Sequence, residues 1–373
     1  MAANEMVSLV LAGGKGTRLL GLTKKTSKPA VYFGGKYRII DFVLSNLANS
    51  NVQKVGVLTQ YESIELSNYC SSGHNWGFDG NNSQLSLLSP RQKEEGSFWY
   101  LGTADAIYQN IDYLDSVDPE YVLILSADHI YKMNYAKMLA FTKEVDADCT
   151  IAYLTVEEKD VSRFGILSVD DEGRISSFIE KPKHSDSRSA SMGLYIFKYK
   201  TLRDALVKDA KDETSEHDFG KNIIPYFLAK KKKVYGYPFE GYWRDVGTLN
   251  SLWEANMDLI DDDNALDLYN HFSSFKIYSE DTKSLPQYIG PKAKITNCMI
   301  NQGSIVLGEV EHSVLFTGTY IEEGAYIKDS VIMPNVTVKK GAHIVHAIVQ
   351  EGAVIEEGRV IEGTKDNVTL ITK

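Results

Sequence analysis

The chain has 373 residues, 43% hydrophobic and 24% charged, so it can form a large core, and its length favours two domains over one. A formal net charge of −10 argues against a general nucleic-acid or anionic-membrane binder, because such proteins need a basic surface. The isolated cysteines Cys70, Cys149 and Cys298 indicate neither a disulfide framework nor a CxxC zinc site. The N-terminus lacks a basic leader pattern and no stretch approaches ~20 apolar residues, so we expect a cytoplasmic protein without a membrane span.

The first two thirds of the chain alternate between strand and helix patterns. Continuous apolar runs of the kind found in strands buried on both faces occur at 7–12, 55–59, 121–127, 150–154 and 194–197. Stretches of helical period separate them, as at 38–48 and 103–114. This alternation, which continues to about residue 260, predicts an α/β domain with a mostly parallel sheet.

The pattern changes after residue 285, where helical periodicity ends. Aliphatic residues then recur every five or six positions, at Ile321, Ile327, Ile332, Val338, Ile344, Val349, Ile355 and Ile361. This hexapeptide period is typical of a left-handed parallel β-helix, whereas the strands of the alternative, a β-sandwich, would alternate with period two. We therefore expect a catalytic domain at 1–260, a linker at 261–284 and a β-helix domain at 285–373.

A glycine-rich turn, LAGGKGTRL at 11–19, follows the first predicted strand. Its glycines allow the backbone to approach a ligand, and its N–H groups can surround an anion. Lys15 and Arg18 add charges that suit triphosphate oxygens. The spacing is neither that of a P-loop nor that of a dinucleotide-binding GxGxxG turn. A plain glycine turn with solvated cations remains the alternative.

This turn resembles the characteristic loop of the sugar-nucleotide pyrophosphorylases, and further motifs agree in family order up to about residue 260. They are KPAVYFGGKYRIIDF (28–42), GTADA (102–106), DHIYKM (128–133), FIEKP (178–182), SMG (191–193), HDFG (217–220) and YWRDVGT (242–248). The first and third are similar to those of the bacterial members that form ADP-glucose. The resemblance implies a Rossmann-like nucleotidyltransferase domain followed by the β-helix, and transfer of the adenylyl group of ATP to glucose 1-phosphate with release of pyrophosphate, for glycogen synthesis.

Two acids are candidate ligands of Mg²⁺. Asp128 follows the strand at 121–127, and ligands of open α/β sheets bind beyond the carboxyl ends of strands. Asp245 lies in a tight-turn motif, and carboxylates of this kind bind Mg²⁺ together with substrate phosphates. By resemblance, both acids hold the metal; the alternative is that each caps a helix or stabilises a turn.

The resemblance also implies the other site residues. The catalytic residues are Arg18, Lys28, Asp128 and Asp245. The nucleotide is contacted by Leu11, Ala12, Gly13, Gly14, Lys15, Gly16, Thr17, Gln92, Gly102 and Thr103, with Gln92 reading the base. The sugar phosphate is contacted by Tyr100, Gly165, Glu180, Lys181 and Ser191. Because Lys181 precedes Pro182, we expect its backbone to be extended and its ammonium to meet the phosphate of glucose 1-phosphate.

Several alternatives stay open. The nucleotide could be UTP or dTTP, or the chain could be a non-catalytic regulatory subunit. A third rival is a bifunctional enzyme that uses His343 and His346 in the β-helix for acyl transfer. Leu101 stands where many relatives carry Arg, which puts the response to activators in doubt. The resemblance suggests a homotetramer, possibly a hetero-oligomer with a regulatory subunit, and small-molecule effectors, for which the lysines at 230–233 could also be a binding patch.

Overall fold

The computed structural model describes residues 5–14, 16–61, 63–90, 92–93, 96–97, 99–261, 266–268 and 275–373. The strands of its α/β part are β1 (Met6–Leu11), β2 (Tyr32–Phe33), β3 (Tyr37–Arg38), β4 (Lys54–Leu58), β5 (Gln84–Leu88), β6 (Gln92–Lys93), β7 (Gly96–Ser97), β8 (Tyr121–Ser126), β9 (His129–Tyr131), β10 (Cys149–Thr155), β11 (Gly165–Val169), β12 (Ile175–Glu180), β13 (Ser189–Lys198), β14 (Val234–Pro238) and β15 (Trp243–Asp245). Its α-helices are α1 (Ile39–Asn49), α2 (Ser63–Cys70), α3 (Thr103–Tyr108), α4 (Ile111–Val117), α5 (Tyr135–Glu144), α6 (Tyr199–Asp209), α7 (Ile224–Ala229) and α8 (Leu249–Met257). Short 3₁₀ turns lie at Thr17–Thr23, Lys28–Ala30, His74–Trp76 and Glu158–Arg163, and a π turn lies at Phe219–Ile223.

The central sheet has the strand order β12-β11-β13-β8-β1-β4-β5; β10 joins it through β13, and β14 joins it through β10. Strands β5, β4, β1 and β8 are parallel neighbours, which confirms the predicted mostly parallel α/β sheet. Strand β13 runs antiparallel to β8 and β10, so this side of the sheet is mixed. The apolar run of β1 is continuous because Met6 and Val10 pack into the core on one face, whereas Val7 and Leu9 pack into the core on the other.

The predicted helix at 103–114 is two helices, α3 and α4. Asn110 lies between them, and its side chain donates hydrogen bonds to Ala106 O at 2.9 Å and to the Tyr100 hydroxyl at 3.0 Å. The four lysines at 230–233 follow the end of α7, and Lys233 pairs with Asp146 at 2.7 Å.

The C-terminal part is a left-handed parallel β-helix, as predicted. Its strands form three parallel sheets of five strands each. These strands are β16 (Tyr288–Ile289), β17 (Lys294–Thr296), β18 (Met299–Ile300), β19 (Ile305–Val306), β20 (Glu309–Glu311), β21 (Val314–Leu315), β22 (Tyr320–Ile321), β23 (Tyr326–Lys328), β24 (Val331–Ile332), β25 (Thr337–Val338), β26 (His343–Val345), β27 (Ala347–Val349), β28 (Val354–Ile355), β29 (Val360–Glu362) and β30 (Thr369–Ile371). The eight aliphatic residues that define the hexapeptide period are all buried in one core, which rules out the sandwich.

The two parts pack against each other through a shared apolar cluster that contains Phe33 and Trp253 from the α/β part and Phe316 from the β-helix. The Trp253 indole N–H also donates to Asp329 O at 2.7 Å. The segment at 275–284 lies on α1, where Tyr278 N donates to Ser45 Oγ at 2.8 Å. Helix α8 ends at Met257 and β16 begins at Tyr288. The predicted domain limits at 260 and 285 lie near these two element ends and remain a prediction.

No helix in the described ranges combines the length and the apolar character needed to cross a membrane.

Candidate active site

A cavity of about 340 Å³ opens at the carboxyl ends of β1, β4 and β8. This is the edge of the sheet at which α/β proteins bind ligands. Its wall consists of Leu11, Gly13, Gly14, Lys28, Pro29, Leu58, Gln60, Tyr61, Tyr100, Gly102, Thr103, Ala106, Ser126 and Asp128. Five of the ten predicted nucleotide residues lie in this wall, namely Leu11, Gly13, Gly14, Gly102 and Thr103. Tyr100, which was predicted to contact the sugar phosphate, lies in the same wall.

The glycine turn leaves β1 at this edge. Ala12 is buried and donates its N–H to Leu58 O at 2.9 Å, which fixes the start of the turn to β4. Gly16 has a φ of +61°, and an added Cβ would lie 2.9 Å from Lys28 Cβ, so the turn needs glycine at this position. Thr17 is exposed and begins the 3₁₀ turn. The predicted contact of Lys15 lies outside the described residues.

Asp128 and Asp245 reach the same point by different routes. Asp128 follows β8, while Asp245 is the last residue of β15, which pairs antiparallel with β9 so that Asp245 lies opposite His129. Lys28 links the two acids, because its Nζ lies 2.9 Å from Asp128 Oδ2 and 3.0 Å from Asp245 Oδ1. The structure therefore brings three of the four predicted catalytic residues into contact.

Both carboxyl groups are ionised at neutral pH. Burial alone would raise the pKa of Asp128, but His129, Lys28 and the Ser126 hydroxyl outweigh burial and hold the pKa well below its usual range. Burial likewise opposes ionisation of Asp245, and Lys28 is the largest of the influences that lower its pKa. Two neighbouring ionised carboxylates supply oxygen ligands of the kind that Mg²⁺ prefers.

The donor set fits a divalent cation. One ligand atom each from Asp128, His129 and Asp245 lie within 4.8 Å of one another. The imidazole Nε2 of His129 lies 3.2 Å from Asp128 Oδ1, and its buried Nδ1 has no hydrogen-bond partner within the described chain. His129 therefore faces Asp128 and helps to orient it.

Two arginines border the acids. The fourth predicted catalytic residue, Arg18, reaches the turn after Asp245, because a Cβ added at Gly247 would lie 2.8 Å from Arg18 Nη2 and 2.9 Å from Asp245 Oδ1. Arg163 lies 3.3 Å from Asp245 through its Nη2, a contact that the sequence analysis did not predict. The motif Arg163-Phe164-Gly165 was available as a signal, but only its glycine could be assigned to the sugar side.

Four of the five predicted sugar-phosphate residues, all except Tyr100, lie on a second wall formed by β11, β12 and β13. Gly165 pairs with Glu180 across the β11–β12 ladder, and a Cβ added at Gly165 would lie 2.8 Å from Glu180 Oε2. Lys181 Nζ lies 3.0 Å from Glu180 Oε1. Ser191 is buried on β13.

The expected extended backbone at Lys181 is wrong. Lys181 has a φ of +47°, in the left-handed region, and donates its N–H to Phe164 O at 3.0 Å as the chain turns away from the end of β12. A following proline disfavours the right-handed helical conformation of the residue before it. The backbone of Lys181 avoids that conformation by adopting a left-handed one rather than an extended one. Such backbone conformations are costly for a residue with a Cβ and are concentrated at functional sites.

The cavity wall, here called the nucleotide wall after its predicted residues, and the wall of β11, β12 and β13, here called the sugar wall for the same reason, are joined directly. Thr103 Oγ1 donates to Asp218 Oδ2 at 2.9 Å and accepts from Phe219 N at 3.0 Å. Asp218 Oδ1 accepts from Gly220 N at 2.8 Å, and a Cβ added at Gly220 would lie 2.6 Å from Glu180 Oε2. Asp218 thus links the two walls. It lies in the HDFG motif, but the sequence carries no signal of this role.

Other predictions are only partly tested. Gln92 lies in β6, but its side chain lies outside the described residues, so its contact with the base stays a prediction. Leu101 is 73% exposed beside the cavity, next to Trp99, whose ring stacks on Tyr61 at 5.1 Å. His343 stacks on Tyr326, whereas His346 lies against Trp253, so the two histidines have different neighbours.

Comparison with known proteins agrees with this architecture. Residues 7–262 match the nucleotidyl transferase family, and residues 282–367 match the GlmU-like C-terminal hexapeptide family. A glucose-1-phosphate adenylyltransferase of Bacillus mycoides (strain KBAB4) is 49% identical over 371 residues, which cover 99% of this chain and 98% of the relative. The enzyme of that name from Clostridium perfringens (strain SM101 / Type A) is 52% identical over 339 residues, covering 91% of this chain and 87% of the relative. The chain therefore belongs to the nucleotidyl transferase family and, within it, to the glucose-1-phosphate adenylyltransferases.

Proposed function

We propose that this chain converts ATP and α-D-glucose 1-phosphate into ADP-glucose and pyrophosphate, and that the ADP-glucose supplies glycogen or another α-glucan. The observation that carries the proposal is the meeting of the glycine turn, Lys28 and the two ionised acids at one sheet edge. The relatives support the choice of ATP and glucose 1-phosphate, because their name specifies glucose 1-phosphate and transfer of an adenylyl group, which ATP can donate.

In this reaction a phosphate oxygen of glucose 1-phosphate attacks the α-phosphorus of ATP in line, and pyrophosphate departs from the opposite side. Both substrates are polyanions, so the protein must hold them together and stabilise the charge that develops on the departing phosphates. No general base is needed, because the attacking phosphate is already deprotonated near neutral pH.

The residues take separate tasks. The backbone of the glycine turn and Arg18 neutralise the leaving phosphates, while Lys181, on the sugar wall, orients the attacking phosphate. Asp128 and Asp245 would hold Mg²⁺, which supplies further neutralisation of phosphate charge when it is bound. Glu180 and Ser191 would contact sugar hydroxyl groups, since both lie on the wall that contains Gly165.

The first experiment is an activity matrix. The purified protein is incubated with Mg²⁺, glucose 1-phosphate and either ATP, UTP or dTTP, and released pyrophosphate is measured. We expect ATP to give the highest kcat/KM. A preference for UTP or dTTP would reassign the nucleotide, and inactivity with every triphosphate would favour the rival view of a regulatory subunit.

A second experiment tests the metal role. Asp128→Asn keeps the size of the side chain but removes one negative ligand, so we expect kcat to fall by about 10²–10⁴, equivalent to about 3–5 kcal/mol of lost transition-state stabilisation. Asp171→Asn is the matched control, because Asp171 is an exposed acid in the turn between β11 and β12, at the end of that ladder opposite the Gly165–Glu180 pair. Near-normal turnover of the Asp128 variant would refute its assignment.

We further propose that the chain assembles as a homotetramer, because a short β-helix ends in an open coil whose strand edges must be covered. Light scattering coupled to size-exclusion chromatography measures the assembly, and a monomer at micromolar concentration would contradict it.

A further inference from the structure

Lys28 is buried, and its ammonium lies between the acids. It is 5% exposed and begins the 3₁₀ turn Lys28–Ala30, in which Val31 N donates to Lys28 O at 3.1 Å. Its stem packs on the glycine turn, as shown by the 2.9 Å approach of an added Gly16 Cβ to Lys28 Cβ. With its stem packed in this way, the ammonium stays beside the acids in the absence of another anion, unlike that of a solvated surface lysine.

The outer oxygens of the two acids already have other partners. Asp128 Oδ1 accepts from the Ser126 hydroxyl and lies 3.2 Å from His129 Nε2. Asp245 Oδ2 lies 3.3 Å from Arg163 Nη2. The inner oxygens, Asp128 Oδ2 and Asp245 Oδ1, are the ones that contact Lys28.

A divalent cation held by Asp128 and Asp245 would compete for the carboxylates that the Lys28 ammonium contacts. It would then lie beside the Lys28 ammonium, and like charges at such short range in a partly buried site repel strongly. Lys28 and the cation are thus competitors unless the ammonium gains another anionic partner. A bound triphosphate provides one, because Lys28 also lines the cavity that the glycine turn borders.

We propose that the Lys28 ammonium competes with the divalent cation for the carboxylates of Asp128 and Asp245. In the absence of nucleotide the protein therefore binds the cation weakly, and the affinity rises when a nucleoside triphosphate draws the ammonium away from the acids. Metal loading is thereby coupled to nucleotide binding. This inference rests on the metal role of Asp128 and Asp245 in the proposed function, and it adds an order of binding that the reaction itself does not require.

The test measures Mn²⁺ binding in chelator-treated protein without nucleotide, using the loss of the paramagnetic resonance signal of free Mn²⁺. Carboxylate sites that suit Mg²⁺ also accept Mn²⁺. We expect Lys28→Met and Lys28→Gln to bind Mn²⁺ at least about tenfold more tightly than the unaltered protein, which corresponds to about 1.4 kcal/mol. Lys28→Arg, which keeps the charge, should remain within about threefold of the unaltered protein on the same scale.

Lys25→Met is the matched control, because Lys25 is an exposed lysine of the same segment and should leave Mn²⁺ affinity unchanged. Asp128→Asn combined with Lys28→Met should abolish the gain. Equal affinity of the unaltered protein and both neutral Lys28 variants, with thermal melts showing that they are folded, would overturn the proposal. A gain in Lys28→Arg as large as that in Lys28→Met would also overturn it, because charge would not be the cause.

The outcome is separable from the proposed function. If the unaltered protein forms ADP-glucose but the neutral Lys28 variants gain no Mn²⁺ affinity, the competition fails and the function stands. If those variants gain affinity but the unaltered protein turns over no triphosphate, the competition stands and the catalytic proposal fails.

Discussion

Gly102 offers a sharp test of how the nucleotide wall and the sugar wall are joined. Its backbone is extended, with a φ of −160°, so alanine meets no torsional difficulty there. A Cβ at this position would nevertheless lie 2.3 Å from His217 O and 2.5 Å from Glu216 O. These are backbone atoms, so the two chain segments must separate until the contacts reach at least 3.0 Å.

The separation breaks specific bonds. His217 O accepts from Ala104 N at 2.8 Å, and this bond holds the start of α3 against the segment that carries Asp218. Overpacking of this kind costs about 1–3 kcal/mol of folding free energy. A displacement approaching 1 Å near reacting groups can cost about 10²-fold in rate, so we expect Gly102→Ala to lower kcat/KM for both substrates by about 10- to 100-fold.

The assay is steady-state pyrophosphate release with each substrate varied in turn, together with a thermal melt. Gly80→Ala is the control, because an added Cβ there meets the Ser83 hydroxyl at 3.0 Å in the loop before β5, at the sheet edge opposite the cavity. If Gly102→Ala keeps kcat/KM within about twofold of the unaltered protein and melts at the same temperature, the two walls do not depend on this close contact.

Three further predictions follow from single contacts. Gly14→Ala should raise the KM for ATP without lowering the melting temperature, because within the described chain an added Cβ meets no atom within 4 Å, while Gly14 lines the cavity proposed to hold the nucleotide. Gly220→Ala should raise the KM for glucose 1-phosphate selectively, since the added Cβ displaces Glu180 Oε2 from a distance of 2.6 Å; an equal rise in the KM for ATP would contradict this. Burial lowers the pKa of His312, but hydrogen bonds to Asp329 and Asp261 outweigh it and raise the pKa above its usual value. The stabilisation by the charged ring is therefore complete below about pH 6.5, the usual pKa of the unfolded chain, and is lost as pH rises through the raised pKa. His312→Gln should remove this loss, as measured by urea unfolding across that range, and an unchanged pH profile would refute the assignment.

The sequence predicted the β-helix well because its physical signal is local and repeated. Residues such as Ile327 and Ile344 occupy equivalent positions in successive coils, so the period alone identifies the inward face. The parallel centre of the main sheet was predictable for a similar reason, since β1 and β8 are buried on both faces and read as continuous apolar runs. The antiparallel direction of β13 could not be predicted in this way, because the apolar content of a strand does not depend on its direction.

The site was predictable in part. The strand end at Asp128 follows from pattern and topology, but the position of Asp245 came only from family resemblance, because it depends on pairing between β9 and β15 across more than a hundred residues. The contacts of Arg163 and His129 depend on that same pairing. The left-handed turn at Lys181 is set by how β12 ends against Phe164, which the local Lys-Pro signal does not contain.

The measurement that tests the account most directly is a crystal structure with Mn²⁺ and a non-hydrolysable ATP analogue, with the metal located from its anomalous scattering. We expect the anomalous peak to lie against Asp128 and Asp245, the triphosphate to lie along the turn at 11–19, and the Lys28 ammonium to have moved from the acids to phosphate. A metal bound elsewhere, or a triphosphate distant from both acids, would contradict the proposed site.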